Sequence, residues 1–495
     1  MLMPAPDQST IDAKPRLAAA LAGILPADSV IADPVALKAY ESDGLTAYRQ
    51  APLLVTLPRS TAEVAAILKF CHENGVKVVP RGAGTSLSGG ALPLADGVVL
   101  GLGKLNRILE IDLPNRCAVV QPGVPNLAIS NAVAGSGYYY APDPSSQIAC
   151  SIGGNVAENS GGVHCLKYGL TTNNLLGLEV VLINGEVIRL GGKHLDAAGY
   201  DLMGILTGSE GLLGVVTEVT VRLLKRPDTA RALVAGFPSS EQAGAAVAAV
   251  IGAGIIPAGM EMMDRPAIHA AEDFVHAGYP LDVEALLIVE LDGAQVECDH
   301  LLEQVSAIAT ANGASNLRVS RDEAERLRIW AGRKAAFPAV GRISPDYYCM
   351  DGTIPRHRLP EVLQRMAELS RKYALRVANV FHAGDGNLHP LVLYDANQPG
   401  ELERAEEFGA DILRLCVAVG GVLTGEHGVG VEKRDLMPEM FSATDLEQQQ
   451  RLKCAFDPEL LLNPGKVFPT LHRCAELGRM HVRGGVLPHP ELPRF

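Results

Sequence analysis

PRGAGTSLSGG, residues 80–90, is the stretch of this chain that decides the fold. It follows a predicted strand over residues 52–58, a predicted helix that begins after Ser60, and a second predicted strand over residues 76–80. Glycines at this density permit positive φ angles and let phosphate oxygens approach the backbone N–H groups closely. The stretch is neither a GxGxxG dinucleotide-binding turn nor a GxxxxGKS/T phosphate loop. It predicts a phosphate-binding loop of another kind, and from this stretch alone a structural turn explains the glycines equally well.

The composition is that of an acidic globular protein. A chain of 495 residues predicts two or three domains, and 47% hydrophobic with 20% charged residues is ordinary for a globular fold. The formal net charge of -13 argues against nucleic-acid binding, which needs a basic surface. The apolar runs at residues 17–25 and 242–260 are interpreted as buried helices, so we expect neither a signal peptide nor a membrane span.

The nine cysteines are dispersed along the chain, and no two of them form a C-x-x-C pair. This spacing provides no ligand set for an iron–sulfur cluster or a zinc ribbon. An odd, dispersed set of cysteines favours reduced thiols, and we therefore predict a cytoplasmic protein.

Changes in the sequence pattern divide the chain into four segments. Near residue 227 the pattern changes to helices that alternate with strands, and near residue 421 a final segment begins that we expect to fold back toward the first domain. The predicted domains are residues 1–226, 227–420 and 421–470, followed by a tail at 471–495 to which the sequence assigns no role.

Three later stretches extend the pattern that the glycine-rich loop begins: PDPSS at 142–146, SIGGNVAENSGG at 151–162 and GSEGLLGVVT at 208–217. In order and spacing, residues 40–225 resemble the FAD-binding domain of the vanillyl-alcohol oxidase and p-cresol methylhydroxylase (PCMH) superfamily. The resemblance implies that the first loop binds the FAD pyrophosphate and that the later stretches line the isoalloxazine or adenine. The implied FAD-binding residues are Arg81, Gly82, Ala83, Gly84, Thr85, Ser86, Pro142, Ser146, Gly153, Gly154, Asn155, Glu210, Gly211 and Val216.

The resemblance also bears on how FAD is attached. Some members of that superfamily attach FAD covalently through a histidine in the first loop, but residues 80–90 contain neither His nor Cys. We therefore expect noncovalent FAD. Cys150 and Cys165, near the second stretch, are expected to be packing residues.

Two short glycine-flanked segments, FHAGDGNLH at 381–389 and GEHG at 425–428, contain groups that can bind a metal. A predicted hairpin places His382 and His389 on either side of a tight turn, and Glu426 would add a carboxylate oxygen. Two histidines and one carboxylate leave positions open for a substrate, which is the pattern of a catalytic divalent metal site, with Zn or Mn as the expected ion. For a single histidine such as His389, a hydrogen-bonded turn residue is an equal alternative.

Further catalytic candidates lie beside this ligand set. His427 directly follows Glu426 and is the candidate general base for a substrate hydroxyl. Arg333 and Arg356 are the candidates for binding a substrate carboxylate, because an arginine fork can form two parallel hydrogen bonds with one. Arg333 follows Trp330 on a predicted helix, so a solvated helix face is its alternative.

The second half of the chain resembles the C-terminal domain of FAD-linked 2-hydroxyacid oxidases, a family that includes D-lactate dehydrogenases, D-2-hydroxyglutarate dehydrogenase and glycolate oxidase subunits. WAGRKAAFP at 330–338 and SPDYYCMDGT at 344–353 look closest to the FAD-binding subunit of glycolate oxidase. Phe337 and Cys349 stand where the hydroxyglutarate enzymes have polar and basic side chains for a distal carboxylate, which favours a short monoacid. The implied fold class is α+β: a PCMH-type FAD-binding domain of two α/β subdomains, a ferredoxin-like α+β cap domain for the substrate and a short C-terminal helical segment.

The function that this resemblance implies is oxidation of a short 2-hydroxy acid to the 2-oxo acid. Glycolate would give glyoxylate, and D-lactate would give pyruvate. The metal would hold the hydroxyl, His427 would take its proton, and the Cα hydride would pass to flavin N5. One methyl group in a pocket is worth only about 1 kcal/mol, so the sequence does not separate the two acids.

Two alternatives and a set of partners accompany this prediction. A stand-alone dehydrogenase for D-lactate or another D-2-hydroxy acid would share the chemistry. A redox-silent assembly subunit that binds FAD belongs to another class, and the complete His/His/Glu/His set argues against it. The glycolate oxidase resemblance implies a second FAD-domain subunit and an iron–sulfur subunit, and through such partners the chain would associate with a membrane.

Overall fold

The computed structural model describes residues 3–194 and 199–469 of the chain. The predicted tail at 471–495 lies outside the described residues. The polypeptide forms two subdomains, a larger cap domain and a C-terminal segment that returns to the first subdomain.

The first subdomain is an α/β layer in which the glycine-rich loop follows β3 and precedes β4. Its elements are α1 (Gln8–Asp12), α2 (Lys14–Ile24), β1 (Val30–Ile31), α3 (Pro34–Leu37), β2 (Leu54–Thr56), α4 (Thr61–Glu73), β3 (Lys77–Arg81) and β4 (Gly97–Gly101). The sheet has the order β1-β2-β4-β3, in which β2, β4 and β3 are parallel. Ser60 caps α4 as predicted, because its hydroxyl accepts a hydrogen bond from the N–H of Glu63.

The second subdomain is built on a five-stranded antiparallel sheet. Its elements are β5 (Ile108–Asp112), β6 (Cys117–Val120), α5 (Asn126–Val133), β7 (Tyr138–Tyr139), α6 (Ile152–Glu158), α7 (Cys165–Tyr168), β8 (Leu175–Val181), β9 (Val187–Gly191), α8 (Leu202–Leu206), β10 (Val215–Arg222) and β11 (Leu224–Lys225). The sheet order is β5-β6-β10-β8-β9, and β7 pairs with β11. Strands β8 and β9 form a hairpin around Asn184-Gly185, where Gly185 has a φ of +85°.

The cap domain alternates strands and helices over residues 229–418. Its elements are β12 (Thr229–Phe237), α9 (Ser240–Gly252), β13 (Gly259–Asp264), α10 (Arg265–Val275), β14 (Ala285–Gly293), α11 (Gln295–Ala311), β15 (Asn316–Val319), α12 (Glu323–Val340), β16 (Asp346–Cys349), α13 (Leu359–Tyr373), β17 (Val377–Phe381), β18 (Pro390–Tyr394) and α14 (Glu401–Ala418). All its strand pairs are antiparallel, in the order β15-β12-β14-β13-β17-β18-β16.

The ferredoxin-like expectation is confirmed in the strand order of the cap domain. Strands β12 to β15 follow the βαββαβ pattern, with α10 inserted, and lie in the order fourth, first, third, second. Strands β16, β17 and β18 repeat the order of the first three strands, and the two halves meet where β13 pairs with β17. Helices cover both faces of this sheet: α9, α11, α13 and α14 pack on one, α10 and α12 on the other.

Polar contacts connect the second subdomain to the cap domain. His164 lies between two carboxylates, with Nδ1 2.8 Å from Asp143 Oδ2 and Nε2 3.1 Å from Glu290 Oε1. Lys167 Nζ donates to the backbone oxygen of Asp292 at 2.8 Å. Because Glu290 and Asp292 lie near the C-terminal end of β14, these contacts join that end of the cap sheet to the second subdomain.

The C-terminal segment returns to the first subdomain. After α15 (Met437–Met440) and α16 (Ala443–Phe456), the chain runs beside β3, where Val78 N–H donates to Leu461 O and Asn463 N–H donates to Val78 O, both at 2.8 Å. Within residues 3–194 and 199–469, the helices are too short or too polar to cross a membrane.

Candidate active site

A cavity of about 520 Å³ lies between the two subdomains and the cap domain. Its wall includes all but one of the FAD-binding residues predicted from the sequence: Arg81, Gly82, Ala83, Gly84, Thr85, Ser86, Ser146, Gly153, Gly154, Asn155, Glu210, Gly211 and Val216. Pro142 is the exception, and its carbonyl accepts a hydrogen bond from Asn126 Nδ2 at 3.1 Å behind the wall. The glycine-rich loop and the three later stretches therefore meet around one cavity.

Glycine is required at two positions where the loop after β3 and the start of α6 pack closely. A Cβ on Gly82 would overlap the hydroxyl of Ser151, and a Cβ on Gly153 would lie 2.5 Å from Pro122 Cβ. Gly84 has a φ of +73°, which favours glycine. The loop after β3 and the start of α6 can therefore pack against each other and form the cavity wall with their backbone.

Glu210 has a role that the sequence did not indicate. Its two carboxylate oxygens accept hydrogen bonds from the N–H groups of Val429 and Gly430, each at 2.7 Å. Glu158 also lines the cavity, although the sequence motifs did not single it out. Burial, together with the neighbouring charge of Glu210, raises the pKa of Glu158 well above its usual value.

The predicted ligand residues His382, His389 and Glu426 come together at one end of this cavity. The hairpin of β17 and β18 turns at Gly386, which has a φ of +86°, and brings the two imidazole rings to 4.9 Å between centroids. Glu426 Oε1 lies 3.4 Å from His382 Nε2 and 3.3 Å from His389 Nε2. His389 and Glu426 line the cavity, and His382 is buried behind them.

Glu261 on β13 is part of this cluster, although nothing in its own stretch of sequence indicated it. Its Oε1 lies 2.8 Å from His382 Nδ1, which leaves Nε2 of the same ring directed at Glu426. Burial opposes protonation of His382, but Glu261 and Glu426 outweigh it and raise the pKa of His382 well above 6.5. Contacts with His382 and His389 lower the pKa of Glu426, in spite of burial, well below its usual value.

His427 stacks on His389 and faces the cavity. The ring centroids are 4.8 Å apart and the rings are nearly parallel, at 4°. The nearest carboxylate oxygen to His427 Nδ1 is Asp351 Oδ2, at 3.9 Å, which is too far for a hydrogen bond. Burial is the largest influence on His427 and lowers its pKa to about 4. The ring is therefore neutral near pH 7 and can accept a proton.

The two arginines predicted to bind a carboxylate do not line the cavity. Arg333 is 1% exposed, and its Nη2 lies 2.5 Å from Glu261 Oε2, so the alternative of a solvated helix face is wrong. Arg356 Nη1 is directed at the backbone oxygen of Gly384, at 3.4 Å. Lys334, the neighbour of Arg333, does line the cavity, as do His389, Glu426 and His427.

Phe337 and Cys349 are also separated by the fold. Phe337 lines the cavity, with its ring 6.0 Å from that of His389. Cys349 is buried in the cap domain, on β16. Of these two residues, only Phe337 can therefore limit the size of a molecule at this end of the cavity.

Two known protein families match successive parts of the chain. Residues 52–191 match the FAD binding domain family, and residues 226–467 match the family of FAD linked oxidases, C-terminal domain. The glycolate oxidase subunit GlcD of Escherichia coli (strain K12) is 62% identical over 456 residues, which are 92% of this chain and 91% of that protein. A probable mitochondrial D-lactate dehydrogenase of Danio rerio is 33% identical over 84% of each chain.

A solved structure shows the same fold at low identity. The structure of p-cresol methylhydroxylase with substrate bound superposes with a TM-score of 0.80 at 18% identity, over 94% of this chain and 98% of that one. The PCMH-type fold expected from the sequence is thereby confirmed. Because the relatives share 33–62% identity with nearly the whole chain and both domain families match, the chain belongs to the family of FAD-linked oxidases.

Proposed function

We propose that the chain oxidises a short 2-hydroxy acid, foremost glycolate, to the corresponding 2-oxo acid. The observation that supports this most strongly is a single cavity with two kinds of wall. Glycine-rich loops form one part of it, and His389, Glu426 and His427 form another. A flavin and a small acid bound in this cavity would be in contact, as a direct transfer between them requires.

FAD fits the wall of the cavity through its backbone. The glycines at positions 82 and 153 leave no room for side chains, so the backbone of both loops forms the cavity wall there and a pyrophosphate could approach it closely. Bound FAD would supply the acceptor for the hydride from the substrate carbon. Cys150 is buried and its Sγ accepts a hydrogen bond from Asn155 Nδ2 at 3.4 Å, which supports packing rather than attachment. We propose noncovalent FAD, and acid precipitation should release it into the supernatant.

A divalent metal fits the cluster at the other end. One ligand atom from each of His382, His389 and Glu426 lies within 4.8 Å of the others. The buried Nε2 of His389 has no hydrogen-bond partner among the described residues, and Glu261 orients His382 as a carboxylate often orients a metal-binding histidine. Zn or Mn bound there would polarise the substrate hydroxyl.

His427 and a cation of the cap domain complete the proposed reaction. His427 is neutral and faces the cavity, so it would take the hydroxyl proton. Lys334 would bind the substrate carboxylate, because it lines the cavity one helical turn from Phe337, whose ring lies beside that of His389. Arg333, proposed from the sequence for that role, lies behind Glu261, from where it supports His382.

The size of the substrate and the partners are proposed from two further observations. The phenyl ring of Phe337 beside His389 favours a short monoacid over a diacid. The relative with 62% identity is named a subunit, so we propose a glycolate oxidase complex with a second FAD-domain subunit and an iron–sulfur subunit, located in the cytoplasm and recruited to the membrane through them.

A substrate panel tests the function directly. Under anaerobic conditions the flavin of the purified chain should bleach on addition of glycolate, and D-lactate should be the next best of a series that also includes D-2-hydroxyglutarate. Preference for D-lactate would favour the stand-alone dehydrogenase. A flavin that no member of the panel reduces would favour the redox-silent assembly subunit and contradict the proposal.

A further inference from the structure

Asp351 binds the loop that carries Glu426 and His427. Its Oδ2 accepts hydrogen bonds from the backbone N–H groups of Gly425 at 3.1 Å, Glu426 at 2.8 Å and His427 at 2.7 Å. The hydroxyl of Thr424 donates to the same oxygen at 3.1 Å. Asp351 is completely buried, so water does not compete for these contacts.

The second oxygen of Asp351 is engaged in a buried ion pair. Lys433 Nζ lies 2.6 Å from Asp351 Oδ1 and also donates to the backbone oxygen of Gly428 at 2.9 Å. Both side chains are 0% exposed. The lysine offsets the cost of burying the carboxylate and binds the same loop on its other side.

A second carboxylate holds the next part of the loop. Glu210, from the second subdomain, accepts the N–H groups of Val429 and Gly430. The loop of residues 425–430 is therefore bound by a carboxylate of the cap domain at its start and by one of the FAD-binding region at its end.

We infer that Asp351 is a positioning residue: it fixes the backbone of Glu426 and His427 so that the one side chain meets His382 and His389 and the other faces the cavity. This inference rests on the proposed function for its catalytic consequence. Asp351 does not take either role itself, because both of its oxygens are already engaged with the loop and with Lys433. Its contribution is the geometry of its neighbours.

The substitution Asp351→Asn tests the inference with little change of shape. A carboxamide has one acceptor oxygen and one donor group, so it cannot accept both the loop amides and the Lys433 ammonium. We expect faster hydrogen exchange of peptides that cover residues 424–428, and Zn²⁺ affinity about 10–100-fold weaker. At saturating Zn²⁺ and glycolate, kcat should fall about 100-fold, because a displacement of about 1 Å can cost that much, whereas KM should change little.

Asp264→Asn is the matched control. Asp264 is a buried aspartate of the same domain that accepts the N–H groups of Ala267 at 3.2 Å and Asn379 at 2.9 Å. These bonds stay within the cap domain and do not involve the loop of residues 425–430, so this variant should keep the exchange rate of that loop, the Zn²⁺ affinity and kcat of the wild type. Equal losses in both variants would overturn the inference, because they would show a general response to polar substitution in this domain.

The double variant Asp351→Asn, Lys433→Met separates positioning from charge neutralisation. It also removes the buried ammonium, which after Asp351→Asn keeps only Glu432, at 3.4 Å, as an ionic partner. If Asp351 only neutralises Lys433, the double variant should recover both stability and kcat, and the inference is then wrong. Lys433→Met alone, which also loses the contact with Gly428, is the reference. If Asp351 positions the loop, stability should recover in the double variant, while its kcat and loop exchange rate should stay further from the wild type than those of Lys433→Met.

Failure of the proposed function would look different. A wild-type chain that glycolate and D-lactate both fail to reduce would contradict the function, while the hydrogen-exchange comparison of Asp351→Asn with Asp264→Asn would still decide the structural inference. An unchanged exchange rate in Asp351→Asn would overturn the inference even in a fully active enzyme.

Discussion

Two buried histidines of this protein, His164 at the contact between the second subdomain and the cap, and His427 in the proposed catalytic cluster, behave in opposite ways. Burial opposes protonation of both rings. At His164 the charges of Asp143 and Glu290 outweigh burial and raise the pKa to about 10. At His427 burial prevails, and the pKa falls to about 4.

The availability of the neighbouring carboxylate explains the difference. His164 has a carboxylate oxygen within hydrogen-bond distance of each ring nitrogen, at 2.8 and 3.1 Å. His427 also has a carboxylate nearby, but Asp351 lies 3.9 Å away and its oxygens are engaged with backbone amides and Lys433. In this protein, carboxylates at both nitrogens keep the buried ring of His164 charged, whereas burial and the neighbouring His389 and Lys433 keep His427 neutral beside an engaged carboxylate.

The largest expected difference between substitutions in the two regions is in kcat. His427→Ala should lower kcat about 10²–10⁴-fold, because loss of a general base acts in the transition state. His164→Ala should keep kcat close to that of the wild type, since His164 does not line the cavity. Steady-state kinetics with an artificial electron acceptor measure both, with FAD and metal content as controls. A His427→Ala variant that keeps near-normal kcat with metal bound would assign the base to another group.

Metal removal should affect the catalytic region and leave the His164 region intact. Loss of a metal that polarises the hydroxyl removes several kcal/mol of transition-state stabilisation, so turnover should fall about 10³-fold after chelation. FAD should remain bound, because the proposed ligands lie outside the glycine-rich loops. Elemental analysis must show that the metal is gone, and Zn²⁺ or Mn²⁺ should restore the rate. Full activity in a verified metal-free protein would refute the metal site.

Substitution of Lys334, the proposed carboxylate-binding cation, should weaken substrate binding and leave the proposed general base His427 unaffected. Lys334→Ala should raise KM about 10-fold or more with a smaller change in kcat, because a charged hydrogen bond to the carboxylate, worth about 1.5–3 kcal/mol, is present in ground and transition states alike. Arg333→Ala is the comparison. If Arg333→Ala alone raises KM and keeps its metal, the carboxylate contact belongs to Arg333, as the sequence predicted.

The smallest expected effect is on stability at His164. The pKa of this ring is raised from 6.5 to about 10 in the folded protein, so its contribution is fully present below pH 6.5 and is lost as pH rises through 10. His164→Asn should lower the free energy of unfolding by about 2 kcal/mol at pH 6. Breaking a fully buried ion pair would cost more, about 3–5 kcal/mol. The difference from the wild type, measured by urea unfolding, should shrink by pH 10. A constant difference across this range would show that His164 acts through packing.

The sequence predicted most where the structure is local. The cap at Ser60, the hairpin at Asn184-Gly185 and the glycine-rich loop each depend on residues within a few positions of one another, so their patterns can be read directly. Most residues of the cavity wall were also predicted from motifs. Pro142 is the predicted residue that does not line the cavity, since a motif does not reveal which side of a loop faces it.

The sequence could not decide which of two adjacent helix residues, Arg333 or Lys334, faces the cavity. Arg333 and Lys334 follow each other on α12, and successive side chains of a helix point about 100° apart, so only one of them can face the cavity. The sequence favoured Arg333 because arginine suits a carboxylate. Packing of α12 against β13 instead pairs Arg333 with Glu261 and leaves Lys334 at the wall.

By itself the sequence predicted the fold family, the glycine-rich loops that line the cavity and the cluster of His382, His389 and Glu426, because each depends on short segments with characteristic residue types. The tertiary structure alone decided what surrounds them. Glu261, Asp351 and Glu210 lie between 72 positions (Glu261 to Arg333, 333 − 261) and 220 positions (Glu210 to Gly430) from their partners. Glu261 meets His382 only in the folded cap domain, and Asp351 and Glu210 meet the loop of residues 425–430 only when the C-terminal segment returns. The physical reason is that a carboxylate acts through contact distance and free lone pairs, and neither quantity is encoded in any single stretch of the chain.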